Sequence, residues 1–215
     1  MTRQVFMKEL EVLNNDVIKM GSVLELSLNE MIVALENLDI SLAQKIIDRD
    51  DEIDLLEQHI EKECINIIAK QQPLASDLRK ITSIMKIITD IERIADHCAD
   101  ISEYLIQIHN SPVKAPANLT EMINVMKKMV VDTIDSFVNQ DTDKAATVIA
   151  RDDVVDNYFA TISEELIIMM QKDSKIVPQC VAYLMIIKYI ERMGDHATNI
   201  AEWIQFIVTG NLVIG

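Results

Sequence analysis

The sequence predicts an all-α fold made of two tandem three-helix bundles. Three observations carry the prediction. Apolar residues recur at three- and four-residue spacing along nearly the whole chain. Hydrophobic residues make up 49% of the 215 positions while Gly and Pro number only four each, a balance that suits long helices with few turns. Finally, motifs of the first half return in the second.

The breaks in the apolar pattern fall at Asp39 to Ser41, Gln71 to Pro73, Asn110 to Pro116, Asn139 to Thr142 and Lys172 to Lys175. They cut the chain into six helical segments. Pro112 and Pro116 bracket the longest break, so the expected units are 1–112 and 113–215. Gly210 is expected to end the last helix and leave a short tail. Arg49-Asp50-Asp51-Glu52-Ile53-Asp54 aligns with Arg151-Asp152-Asp153-Val154-Val155-Asp156, 102 residues later. Glu92-Arg93-Ile94-Ala95-Asp96-His97 aligns with Glu191-Arg192-Met193-Gly194-Asp195-His196, 99 residues later. The difference predicts a tighter connection in the second half where the first has Gln71 to Ala75. Short connections make neighbouring helices antiparallel, which yields a three-helix bundle in each half.

Composition excludes several classes of function. A net charge of −15 repels phosphate backbones, so nucleic-acid binding is not expected. No apolar run approaches the roughly 18 residues of a spanning helix, and the N-terminal stretch has no secretory h-region. The expectation is a cytoplasmic protein without direct membrane insertion. Cys64, Cys98 and Cys180 are odd in number and form no CxxC, and read as buried thiols of a reducing compartment. No nucleophile elbow, glycine-rich phosphate loop or HExxH is present. Neither His97 nor His196 follows a Glu by three residues, as a di-iron oxygenase bundle would require; those positions hold Ile94 and Met193.

The carboxylates have a direction. With Glu92 at zero on a wheel of about 100° per residue, Asp96 falls at about 40°, Asp100 at about 80° and Glu103 at about 20°. Ile91, Ile94, Cys98 and Ile101 take the opposite side. In the last helix Glu191, Asp195, Asn199 and Glu202 occupy the matching angles. One helix earlier, Asp50 and Asp54 share a side, continued by Glu57 and Glu61; their counterparts are Asp152 and Asp156, where the continuation is lost because Phe159 and Ser163 replace the two glutamates. Like charges at i,i+4 cost roughly 0.2–0.5 kcal/mol per pair, so helix stability alone does not select such stripes. A single acidic stripe is ordinarily a solvated face. Its repetition on two helices of each half favours a bound cation, and the oxygen-rich set suits Fe, Mn, Mg or Ca rather than a structural zinc site.

Other residues read less sharply. His97 and His196 lie about 100° beyond the preceding Asp, which suits a bracing or surface role better than ligation. Arg93 and Arg192 either form salt bridges to nearby carboxylates or hold ligating carboxylates in place from outside. The twelve methionines fall mostly on apolar faces and read as core, whereas Trp203 lies off that face and suits an interface.

Three stretches together resemble the PhoU family of phosphate-transport accessory and regulatory proteins: Gln71-Gln72-Pro73-Leu74-Ala75-Ser76-Asp77-Leu78-Arg79, Asp90 through Asp96, and Ile190 through Glu202. The resemblance spans nearly the whole chain. It implies two bundles related by an internal pseudo-twofold repeat. It also implies multinuclear metal sites on the E(D)xxxD motifs, with iron foremost and Mn, Mg, Zn or Ca as alternatives. Carried over by motif, the ligand candidates are Asp50, Asp54, Glu92, Asp96 and Asp100 in the first half. In the second they are Asp152, Asp156, Glu191, Asp195 and Asn199, with Arg93, Arg192, His97 and His196 as supporting residues. Asn199 stands where the first half has Asp100, and Tyr189 where it has Asp90. The resemblance further implies a non-enzymatic negative regulator of the phosphate-starvation response that restrains uptake. Its expected partners are the ATPase subunit of a phosphate ABC transporter, a sensor histidine kinase and a second copy of the chain. The alternative is a helical metalloenzyme built on the carboxylates.

Overall fold

A computed structural model describes residues 3–111 and 113–211, and all regular structure among them is helical. The first half contains α1 (Arg3–Asn37), α2 (Ile40–Asp48), α3 (Asp51–Gln71) and α4 (Ala75–Ile108). The second contains α5 (Leu119–Asn139), α6 (Thr142–Ile149), α7 (Asp152–Lys172) and α8 (Val177–Thr209). The six expected segments are present, but the middle segment of each half is two helices rather than one. Pro112 and the residues after Asn211 lie outside the described residues.

The periodicity that predicts α1 is the one that buries it. Phe6, Leu10, Leu13, Val17, Met20, Leu24, Leu28, Met31 and Leu35 line one face at three- and four-residue steps, all in the core. α1 ends where Leu38 turns into the left-handed region at φ 50°. Asp39 then caps α2, its Oδ1 accepting from the N–H groups of Ser41 and Leu42, each at 3.0 Å. The second half repeats the device, with Gln140 at φ 52° and Asp141 Oδ1 accepting from the Lys144 N–H at 2.9 Å. Only one residue, Asp173, separates α7 from a 3-10 turn (Ser174–Ile176) that runs into α8. The tighter second connection is therefore present. Gly210, at φ 79°, ends α8 as expected.

Each middle segment breaks beside its arginine. At Arg49 and Asp50 the backbone switches to tight i→i+3 bonds, Arg49 N–H to Ile46 O at 3.2 Å and Asp50 N–H to Ile47 O at 3.3 Å. Arg151 N–H bonds Val148 O at 2.9 Å in the equivalent turn. Both arginines then reach back to the first helix of their half. Arg49 pairs with Glu30 on α1, and Arg151 pairs with Asp132 on α5, which also accepts from Lys128 Nζ at 2.5 Å. Burial alone would raise the proton affinity of Asp132, but the Lys128 and Arg151 hydrogen bonds hold it below the usual carboxylate range. These pairs fix the bend, and the bend carries Asp50 and Asp152 to the starts of α3 and α7.

α4 and α8 pack against each other along the centre of the molecule, with α1, α2 and α3 around α4 and α5, α6 and α7 around α8. The core is built from Ile, Leu, Val, Met and Ala, as the 4% aromatic content requires. Met20, Met31, Met122, Met126, Met129 and Met193 are buried in it, and so are all three cysteines, as free thiols. Trp203 is half-buried against the core and meets Phe206 edge-on at 5.9 Å. No helix among the described residues is long and apolar enough to cross a membrane.

The two ion pairs differ in burial, and so does their expected worth. The Asp132 side chain is 7% exposed, against 28% for Glu30. Arg151→Met is expected to lower the free energy of unfolding by about 1–3 kcal/mol, because it leaves one oxygen of a buried carboxylate unpaired and Lys128 as the remaining partner. Arg49→Met is expected to cost roughly 1 kcal/mol or less. Urea unfolding followed by circular dichroism measures both, and equal losses would contradict the assignment.

Candidate metal centres

The N-terminal turns of α3 lie beside the middle of α4, and α7 lies beside α8 in the same way. In the first half this brings Asp54, Glu92 and Asp96 together, each offering a carboxylate oxygen within 4.8 Å of the others. In the second half Asp156, Glu191 and Asp195 form the equivalent triad. Two of the carried-over candidates of each half stand around its triad. Asp50 lies close enough to feel the charges of Asp96, Asp54 and Asp100. Asp152 likewise feels Asp195 and Asp156, and its cleft is shared with Asp195, Thr198 and Asn199.

The electrostatics are unfavourable as the carboxylates stand. Burial first, and like charge second, push Asp50 up to about 6, Glu92 up to about 7 and Asp152 up to about 6. Asp96 is raised as well, burial again leading, and Asp156 and Asp195, at the exposed edge of the second triad, are raised by partial loss of surrounding water and then by the charge of Glu191. Asp54 Oδ1 is buried without a hydrogen-bond donor, and Asp152 Oδ1 is buried beside the Thr198 hydroxyl, which lowers its proton affinity less than burial raises it. Glu92 Oε2 is also buried, with the Arg93 Nε at 3.3 Å but outside hydrogen-bond geometry. Carboxylate oxygens so placed call for a proton or a cation. The donor set is all oxygen and largely anionic, which fits a hard cation.

The supporting residues are distributed unevenly. Arg93 spans the first cluster from its rim, with Nη1 at 3.0 Å from Asp96 as well as Nε near Glu92. Arg192, its counterpart, is exposed. His97 is buried rather than superficial, and its Nδ1 lies 3.1 Å from Asp100 Oδ2. Its ring faces α8, 5.1 Å from Tyr189 and 5.7 Å from His196. His196 Nδ1 in turn lies 2.8 Å from Asp90 Oδ1 on α4, and Asn199 Nδ2 donates to the same oxygen at 3.3 Å. The two histidines therefore meet in the seam between halves, and Asn199 divides its place between the second cluster's cleft and Asp90. Sequence reasoning passed over this junction because its partners lie 106 and 109 residues apart. The repeat offset of 99 held the signal, since it pairs His97 with His196 and Asp90 with Tyr189. Glu103, on the expected stripe, is exposed and stands apart from the triad.

A helical protein with paired carboxylate clusters, one per repeat, is the class that fold and site define. The PhoU domain model matches residues 17–105 and again 119–204, one match in each half, and the chain belongs to the PhoU family. It is 38% identical to the "phosphate-specific transport system accessory protein PhoU homolog" of Clostridium acetobutylicum, over 99% of this chain and 98% of that one. The crystal structure of PhoU from Pseudomonas aeruginosa superposes with a TM-score of 0.91 at 34% identity, covering 96% of this chain and 100% of that one. The phosphate transport system regulatory protein PhoU from Streptococcus pneumoniae superposes equally well, at 0.91 and 30% identity, over 98% and 100% of the two chains.

The raised carboxyls fix the sign of a pH dependence. In the unfolded chain Asp50, Glu92 and Asp152 titrate near their ordinary values of about 4. The folded chain therefore holds more protons than the unfolded one between about pH 4 and the folded values of about 6 to 7. Their contribution to stability falls as pH rises through that window. Asp132 acts in the opposite sense, but only below the usual carboxylate range. In the presence of chelator the melting temperature is expected to be several degrees higher at pH 5 than at pH 7.5, measured by circular dichroism. A melting temperature that climbs from pH 5 to pH 7.5 would contradict the assignment.

Proposed function

We propose that this chain is a non-enzymatic accessory protein of a phosphate transport system. In this reading it represses the phosphate-starvation response and restrains phosphate uptake, acting in the cytoplasm through protein contacts. The observation that supports it most is full-length similarity to relatives named as accessory or regulatory proteins of phosphate transport, over both repeats. The contacts proposed are with the ATPase subunit of a phosphate ABC transporter and with a sensor histidine kinase, and the working state is a homodimer. The units are 1–112 and 113–215. The acidic surface, with a net charge of −15, suits basic faces on such partners.

The carboxylate clusters are proposed as cation sites within that role. Asp50, Asp54, Glu92, Asp96 and Asp100 would hold metal in the first half, and Asp152, Asp156, Glu191, Asp195 and Asn199 in the second. Iron is the first choice, with Mn, Mg, Zn or Ca as alternatives. A bound ion would supply the positive charge that these carboxylates lack and tie α3 to α4 and α7 to α8. Arg93, Arg192, His97 and His196 would brace the ligands or their neighbours.

Deleting the gene is expected to derepress a phosphate-starvation reporter at high phosphate, and complementation with the intact chain to restore repression. Reporter output unchanged by the deletion, in a strain with no related gene, would overturn the regulatory reading. Purified protein is expected to carry metal by elemental analysis, and Glu92→Gln with Asp96→Asn to remove at least half of it. Metal content that is negligible, or unmoved by those substitutions, would overturn the cation reading.

A further inference from the structure

The repeat aligns the two clusters residue by residue, and one place differs in sign. In the first half Thr89 Oγ1 on α4 donates to Glu57 Oε1 on α3 at 3.0 Å. Glu57 is close enough to Glu92 to raise its proton affinity, so it adds a carboxylate to that cluster. The counterpart of Glu57 is Phe159, and the counterpart of Thr89 is Lys188. Lys188 Nζ lies 2.6 Å from Glu191 Oε2 and 5.3 Å from the centre of the Phe159 ring. The ring face offers the ammonium a seat that no carboxylate could occupy in the same way. Lys188 also stands close enough to act on the charges of Asp156 and Asp195, the other two members of the triad. The first cluster has a cation of its own in Arg93, 3.0 Å from Asp96 and 3.3 Å from Glu92, but that guanidinium lies on the more open rim, 53% exposed against 36% for Lys188, while Arg192 is turned to solvent.

We infer that Lys188 is a built-in cation of the second cluster, which makes that cluster the weaker of two metal sites and sets the order in which they load. This rests on the reading of the clusters as cation sites. The first cluster gathers six carboxylates, Asp50, Asp54, Glu57, Glu92, Asp96 and Asp100, against the one rim guanidinium of Arg93. The second collects Asp152, Asp156, Glu191 and Asp195, with Lys188 already on Glu191. An incoming divalent ion must displace the ammonium or share Glu191 with it, against like-charge repulsion at close range. Lysine suits this role better than arginine, because its point charge sits on a flexible stem and can swing away. The chain would then carry metal in the first half over a range of concentrations that leaves the second half empty.

Titration of the chelator-stripped full chain with Mn2+, read by electron paramagnetic resonance of the free ion, tests this. The unaltered chain is expected to show a tight and a weak class of site. Lys188→Met keeps the apolar stem over Phe159 and removes the charge; it is expected to tighten the weak class about tenfold and leave the tight class alone. Thr89→Lys, at an exposed position, is expected to weaken the tight class. Lys144→Met changes the net charge equally but acts on Asp135, and is expected to change neither class. Mn2+ binding that Lys188→Met leaves unchanged, or that Lys144→Met alters as much, would overturn the role of Lys188 while the cation sites stand. Failure of the unaltered chain to bind Mn2+ at all would overturn the cation sites and this inference with them.

Discussion

Repulsion between carboxylates on facing helices is the constraint around which the molecule is arranged. α3 and α7 each present one aspartate, Asp54 or Asp156, to a glutamate–aspartate pair on α4 or α8, and the three oxygens meet within 4.8 Å. Such clusters push helices apart unless something holds them. The holding forces are on the other side of each helix, where Ile53, Ile60, Ile91, Ile94 and Ile101 in the first half lie in the core. Burying side chains of this size is worth roughly 1.5–3 kcal/mol apiece, well above the cost of a like-charge pair. The apolar faces can therefore carry the carboxylates in a state of standing repulsion, which a cation or protons relieve.

The bends at Arg49 and Arg151 show how local structure serves that arrangement. A helix running unbroken from Ile40 to Gln71 would fix Asp50 in line with the rest of the stripe. The break lets the start of α3 swing so that Asp50 reaches the neighbourhood of Asp96 and Asp100. The arginine at each break ties it to the first helix of its half, through Glu30 or Asp132. One short motif, Arg-Asp-Asp, thus marks both the bend and the acid it delivers.

Much of this was legible in the sequence, for reasons that can be named. The core of α1 follows from apolar spacing, and the helix ends near Asp39 and Asp141 follow from the breaks in that spacing. The stripe geometry places Glu92 with Asp96 and Asp50 with Asp54, since i,i+4 positions share a face on any helix. The bends were not legible, because no Gly or Pro marks them and their cause is an ion pair to a residue 19 positions away. The burial of His97 against His196 and Tyr189 was not legible either, because it depends on how α4 crosses α8. Lys188 escaped notice for a different reason. It is unremarkable on its own helix, and becomes informative only beside Phe159 on α7 and against Thr89 and Glu57 in the other half.

The proposed cation site of the first half lies between Asp54, Glu92 and Asp96. Anomalous diffraction from crystals of the full chain grown with Mn2+ tests it most directly. The account predicts a strong anomalous peak bounded by Asp54, Glu92 and Asp96, with α3 and α4 no farther apart than they stand here. Crystals that show no anomalous density at that position, with the three carboxylates turned outward to solvent, would contradict it.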